Sequence, residues 1–80
     1  MFIVKYATQI GKTVMNLEAG QIKCATVDAA KPAATDLMLR RNLRNVQSAT
    51  IVDDDGTAVA LANPAKLKLA RPQFEWLTVR

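Results

Sequence analysis

The chain opens on a nearly continuous run of aromatic and β-branched residues, Phe2-Ile3-Val4-Lys5-Tyr6, the composition of a strand near the centre of a sheet. Gly11-Lys12 breaks the run. Two further runs, Thr13-Val14-Met15-Asn16-Leu17 and residues Gln21 to Val27, lie on either side of Ala19-Gly20. The second alternates, with Ile22, Cys24 and Thr26 on one face, so the pattern predicts a hairpin that turns at Ala19-Gly20. The period then changes from two to that of a helix. Asp28 offers an N-cap oxygen, Pro32 fits a first turn, and Ala30, Ala33, Ala34, Leu37, Met38 and Arg41 recur at helical spacing, which predicts a helix from Ala29 to Leu43. Its alanine stripe allows close approach to a sheet. Asp36 precedes Arg40 in the favourable order for a helical ion pair, and the arginines that follow complement the dipole of the helix end.

Val46 to Val52 and Thr57 to Leu61 are strand-like runs joined by Asp53-Asp54-Asp55-Gly56, and Asp-Gly is a strong hairpin signal. Val59 and Leu61 are expected to face the core, with Ala58, Ala60 and Ala62 on the other side. Asn63-Pro64 ends the hairpin. The following stretch, residues 64–73, carries two patterns: Lys66-Leu67-Lys68-Leu69 alternates like a strand, whereas Asn63-Pro64-Ala65-Lys66 reads as a cap and first helical turn. The extended reading is favoured. Phe74 to Val79 has β composition, after a turn at Arg71-Pro72-Gln73.

These elements predict an α+β fold, an antiparallel sheet of four or five strands packed by one principal helix, as a single domain over residues 1–80. The expected core is Phe2, Val4, Ile22, Leu37, Met38, Ile51, Val59, Leu61 and Trp76. With only 80 residues, such a core seldom yields more than about 3–5 kcal/mol, so stability is expected to depend in part on a partner.

Charge changes the picture more than composition does. The net charge is +4, made of +1 over residues 1–30, +3 over 31–45, −3 over 46–63 and +3 over 64–80. Two basic segments therefore flank an acidic one, an asymmetry that attracts acidic partners and steers their encounter. Arg40, Arg41 and Arg44 exceed what a helix dipole needs, and their guanidinium groups suit phosphates and carboxylates. Lys66 and Lys68, with Arg71, form a second basic patch. Capping and solvation are the competing readings for each patch, and Arg40, Arg41, Arg44, Lys66 and Lys68 are the expected partner-binding residues. The aspartate run lacks the alternating ligands and closing glutamate of a calcium loop, so it reads as a solvated turn or an acidic recognition tip.

Catalytic chemistry finds little foothold in a chain with no histidine, no Gly-rich phosphate loop, no nucleophile elbow and no paired Cys/His set. No cofactor or metal is expected. The single cysteine, Cys24, excludes an internal disulfide framework and reads as a small buried apolar residue in a reducing cytoplasm. Lys5 interrupts the apolar start before a signal-peptide core or a membrane span could form. Two function classes follow: a binding protein that engages an acidic protein surface or nucleoprotein complex, and a small basic protein that contacts a nucleic-acid backbone.

A strand, a second strand Gln21-Ile22-Lys23-Cys24-Ala25, the segment Val27-Asp28-Ala29-Ala30-Lys31 with Ala33-Ala34, and a strand pair around Gly56-Thr57-Ala58 follow one another in order. In this order the chain resembles small phage-encoded anti-CRISPR proteins that inhibit type I surveillance complexes. The resemblance implies a stoichiometric inhibitor that occupies a surface of a nucleoprotein complex without any reaction, a phage or prophage origin, and action in a bacterial cytoplasm. The net positive charge departs from the acidic DNA-mimic style of some such inhibitors and favours acidic protein patches or nucleic acid itself as the contact.

Overall fold

A computed structural model describes residues 1–41 and 45–79. Five strands form one antiparallel sheet, β1 (Phe2–Ile10), β2 (Thr13–Ile22), β3 (Val46–Val52), β4 (Ala58–Ala62) and β5 (Trp76–Thr78), in the order β2-β1-β3-β4-β5. Helix α1 (Val27–Leu39) connects β2 to β3 and packs on both, and α2 (Pro64–Leu67) connects β4 to β5 and packs on β3. The fold is α+β, with one main helix across a five-stranded sheet, as the alternation of periods predicts.

The first hairpin turns at Gly11-Lys12 rather than at Ala19-Gly20. Ile10 pairs with Thr13 around a two-residue loop, and Gly11 has φ 62°. A positive φ at the first central position is the requirement of a II′ turn, which glycine meets without strain. Gly20 is instead part of a β-bulge inside one continuous strand. Val4 pairs with Gly20 and Lys5 with Glu18, leaving Ala19 as the extra residue, and Gly20 takes φ 152°. A Cβ at Gly20 would lie 3.5 Å from both Leu37 methyls, so the bare backbone here is where α1 meets β2.

The helix starts earlier than expected, and its cap is Thr26. Thr26 is extended and its Oγ1 accepts a hydrogen bond from the Ala29 N–H at 3.1 Å. Asp28 therefore lies in the first turn and pairs with Lys31 at 3.2 Å, while Pro32 falls inside the helix. The helix also ends earlier, at Leu39. The N–H groups of Arg40 and Arg41 donate to the Leu37 and Met38 carbonyls at 3.3 and 3.0 Å, a tightened last turn that closes the helix. Leu43 and Arg44, which the sequence pattern places at the helix end, lie outside the described residues. Among the described residues, Asp36 and Arg40 form no ion pair.

Ala30, Ala34 and Met38 are fully buried on the helix, against Val4, Ala49, Ile51, Ala60 and Ala62 of the sheet. Leu67 and Trp76 close the far end of this core. Phe2, Leu37, Val59 and Cys24 are partly buried and pack on its margin. Leu61 is the exception among the expected core residues, and a bulge explains it. Ile51 pairs with Ala60 and Val52 with Ala58, so Val59 is the extra residue in β4. Without that insertion Ile51 would face Val59, and Val59 and Leu61 would share the core side. A one-residue slip exchanges the faces, which puts Ala60 and Ala62 beneath the helix and Leu61 on the open face.

Residues 64–73 start as the helix α2 rather than a strand. Asn63 Oδ1 accepts from the Ala65 N–H at 3.1 Å and Pro64 occupies the first turn, where its missing N–H costs nothing. Leu67 is the buried residue of this turn. Strand β5 is held to the helix by its tryptophan: Trp76 Nε1 donates to Thr35 Oγ1 at 2.9 Å, and Phe74 stacks on Trp76 with ring centroids 6.0 Å apart. Among the described residues no helix is long and apolar enough to cross a membrane.

Candidate functional site

Strand β2 has ten residues, and at about 3.4 Å per residue it spans roughly 34 Å at most. Helix α1 covers only its Ala19–Ile22 end. The distal part of the β1–β2 hairpin therefore projects beyond the core, with Ile10, Val14, Met15 and Leu17 all exposed.

At the base of this projection lies a surface depression lined by Tyr6, Thr8, Ile10, Leu17, Arg41 and Asn45. A second depression adjoins it, sharing Gln9, Gly11 and Asn45 and extending to Gln47, Pro64 and Lys68. Asn45 is the pivot between them. Its φ of 59° is left-handed, a conformation that asparagine tolerates better than most residues. Its carbonyl accepts from the Gln9 N–H at 3.0 Å and from Thr8 Oγ1 at 3.3 Å, which ties the start of β3 to β1. Gln47 Nε2 donates to Gln9 Oε1, and Gln9 Nε2 donates to the Gly11 carbonyl at 3.1 Å, so the polar rim is ordered by side chains of β1 and β3.

The basic residues singled out from the sequence divide in three ways. Arg41 and Lys68 come to this same end of the sheet, one from the close of α1 and the other from just beyond α2, and border depressions that meet at Asn45. The Arg41 guanidinium also donates to the carbonyl of Ala19, the bulged residue of β2. Part of its donor capacity thus serves the fold. Arg40 is the exposed C-cap of α1, and Lys66 is half-buried in the last turn of α2. Neither lines the two depressions. Arg44 lies outside the described residues.

The acidic tip is built as a turn. Asp53 Oδ1 accepts from the Asp55 and Thr57 N–H groups at 3.0 and 2.9 Å, and the Asp53 backbone closes the loop through Thr57 and Gly56. Asp54 reaches the Met1 amino group at 3.4 Å. Among the described residues no group of three His, Cys, Asp or Glu side chains is placed to hold a metal ion.

Sequence reasoning does not anticipate Gln9, Asn45 or the apolar floor of Tyr6, Ile10 and Leu17. The signal for the floor is Gly11: once the hairpin turns there, every second residue of both strands faces the same side, and the helix is too short to cover them all. Comparison with known proteins finds no matching family model, curated protein or solved structure.

Proposed function

We propose that this chain is a non-enzymatic binding protein that occupies a surface of a protein or nucleoprotein complex, in the manner of the phage-encoded inhibitors of type I surveillance complexes that its sequence resembles. The observation that carries the reading is the end of the sheet at Asn45. There Arg41 borders an exposed depression whose floor is apolar at Tyr6, Ile10 and Leu17, and Lys68 borders the depression that adjoins it. An apolar floor with a cationic rim suits a protein surface that presents carboxylates around an apolar anchor, because desolvation of the anchor supplies affinity while the charges supply orientation and rate.

Contact with a nucleic-acid backbone is the competing reading, and it has a distinct signature. Phosphate contacts release counterions, so affinity for a labelled duplex or single strand falls by roughly one log unit per log unit of salt for each phosphate neutralised. The protein-surface reading expects no binding to either strand form at low salt, together with retention of a defined protein or nucleoprotein complex on the immobilised chain from bacterial lysate. Tight, steeply salt-dependent binding to bare nucleic acid would overturn it in favour of the backbone reading.

A further inference from the structure

The two edges of the sheet are unequal. Strand β5 at one edge has three residues, whereas β2 at the other has ten. Natural sheets blunt long edges with lysine, proline, bulges or a covering element. Residues Thr13 to Leu17 carry no charge and no proline, and all five are exposed. Protection begins only at the bulge, where Arg41 takes the Ala19 carbonyl. The open edge therefore runs from Thr13 to Glu18.

We propose that this edge pairs antiparallel with the same edge of a second copy of the chain, joining two five-stranded sheets into one. Backbone parity restricts the register. Residues flanking a two-residue hairpin loop form a hydrogen-bonded pair, so Thr13 turns both of its backbone groups toward Ile10, and Met15 and Leu17 alternate with it in doing the same. Val14, Asn16 and Glu18 turn theirs to the free edge. Pairing with a second copy requires outward residues to stand opposite outward residues. Placing Met15 opposite Met15 of the second copy meets that requirement, with Val14 opposite Asn16 and the turn residue Lys12 brought beside Glu18, each pair occurring twice about the axis.

Charge and apolar surface select this register over its neighbour. With Asn16 on the axis instead, Lys12 would face Gly20 and Glu18 would face Val14, and no charge would be matched. With Met15 on the axis, both lysines meet glutamates. Met15, at 42% exposure, packs on its own copy, and Leu17 stands opposite Thr13 on the same side. These side chains lie on the helix side of the sheet but beyond the reach of α1. Together with Ile10 at 59% exposure they form an apolar strip that becomes continuous across the two copies. This pairing stands on the free edge of β2 and does not depend on the depressions at Asn45.

Sedimentation of the full chain over a range from micromolar to millimolar, combined with cysteine trapping, tests the pairing. A dimer is expected. Val14→Pro removes one outward N–H without touching the β1–β2 ladder and should shift the chain to monomer. Lys12→Glu should weaken dimerisation about tenfold, and Lys12→Glu combined with Glu18→Lys should restore it. Thermal melting of each variant reports whether the fold survives, which matters for Glu18 because it pairs with Lys5 within the chain. In a Cys24→Ser background, Met15→Cys should form an intermolecular disulfide under mild oxidation. Its Cα atoms would be about 4.5 Å apart across a non-hydrogen-bonded pair, inside the range that a disulfide spans. Thr13→Cys, facing Leu17 of the second copy, should not. A monomer at every concentration, or equal cross-linking at Thr13 and Met15, would overturn the proposal.

Discussion

Three consecutive residues at the end of α1 should respond to alanine substitution in a graded way, because the helix presents them to three different environments. Met38 is 0% exposed and sits in the centre of the core, Leu37 is half-buried with its methyls against Gly20, and Leu39 is 62% exposed. Removing a buried methionine costs about 2–5 kcal/mol, through lost transfer energy and the cavity left behind. A half-buried leucine forfeits roughly half of a full burial, about 1–2 kcal/mol. Leu39→Ala should stay within about 0.5 kcal/mol of the parent. In a domain of this size Met38→Ala removes much of the total stability, and at about 4–8 °C per kcal/mol its melting midpoint should fall by at least about 8 °C. Urea denaturation of the three variants, with the slope of the transition unchanged, measures the differences. Equal losses at all three positions, or a larger loss at Leu39 than at Met38, would refute the orientation of the helix on the sheet. A loss below about 1 kcal/mol at Leu37 would remove that residue from the core margin.

Thr26→Ala should cost about 0.5–2 kcal/mol of unfolding free energy while Asp28→Asn costs little, since the cap oxygen belongs to Thr26 and the exposed Asp28–Lys31 pair contributes little. Gly20→Ala should destabilise by about 1–3 kcal/mol in the same denaturation assay, because φ 152° is open to glycine and strained for any other residue. Arg41→Ala should lower the melting temperature measurably through loss of the bond to the Ala19 carbonyl, whereas Arg40→Ala should leave it unchanged. If both arginines melt alike, the bulge carbonyl is not what Arg41 holds.

The fold class is legible in the sequence because the periods are clean: β-branched runs, an alanine stripe at helical spacing, and an Asp-Gly turn each point to one local structure. Two of the departures share a cause. Bulges at Ala19 and Val59 insert single residues that no periodicity announces, and each one changes which side chains face the core. Strict alternation therefore puts Leu61 in the core and reads Ala19-Gly20 as a turn. At Thr26 and Asp28 two nearby residues could each cap a helix, and only the backbone at Thr26, extended with its oxygen over the Ala29 N–H, decides between them. The candidate site is half legible. Arg41 and Lys68 stand out as charges in the sequence, but their approach to a common surface depends on the left-handed Asn45, whose role emerges only when β1 and β3 are side by side.

The most direct test of the proposed binding function is titration of a purified type I surveillance complex with this protein, reading the complex's binding of labelled target DNA by fluorescence anisotropy. Occupation of a required surface predicts loss of DNA binding that saturates near one equivalent per site. Lys68→Ala should shift the titration to higher protein concentration without loss of fold. Unchanged DNA binding in the presence of excess folded protein would contradict the proposed inhibition of such complexes.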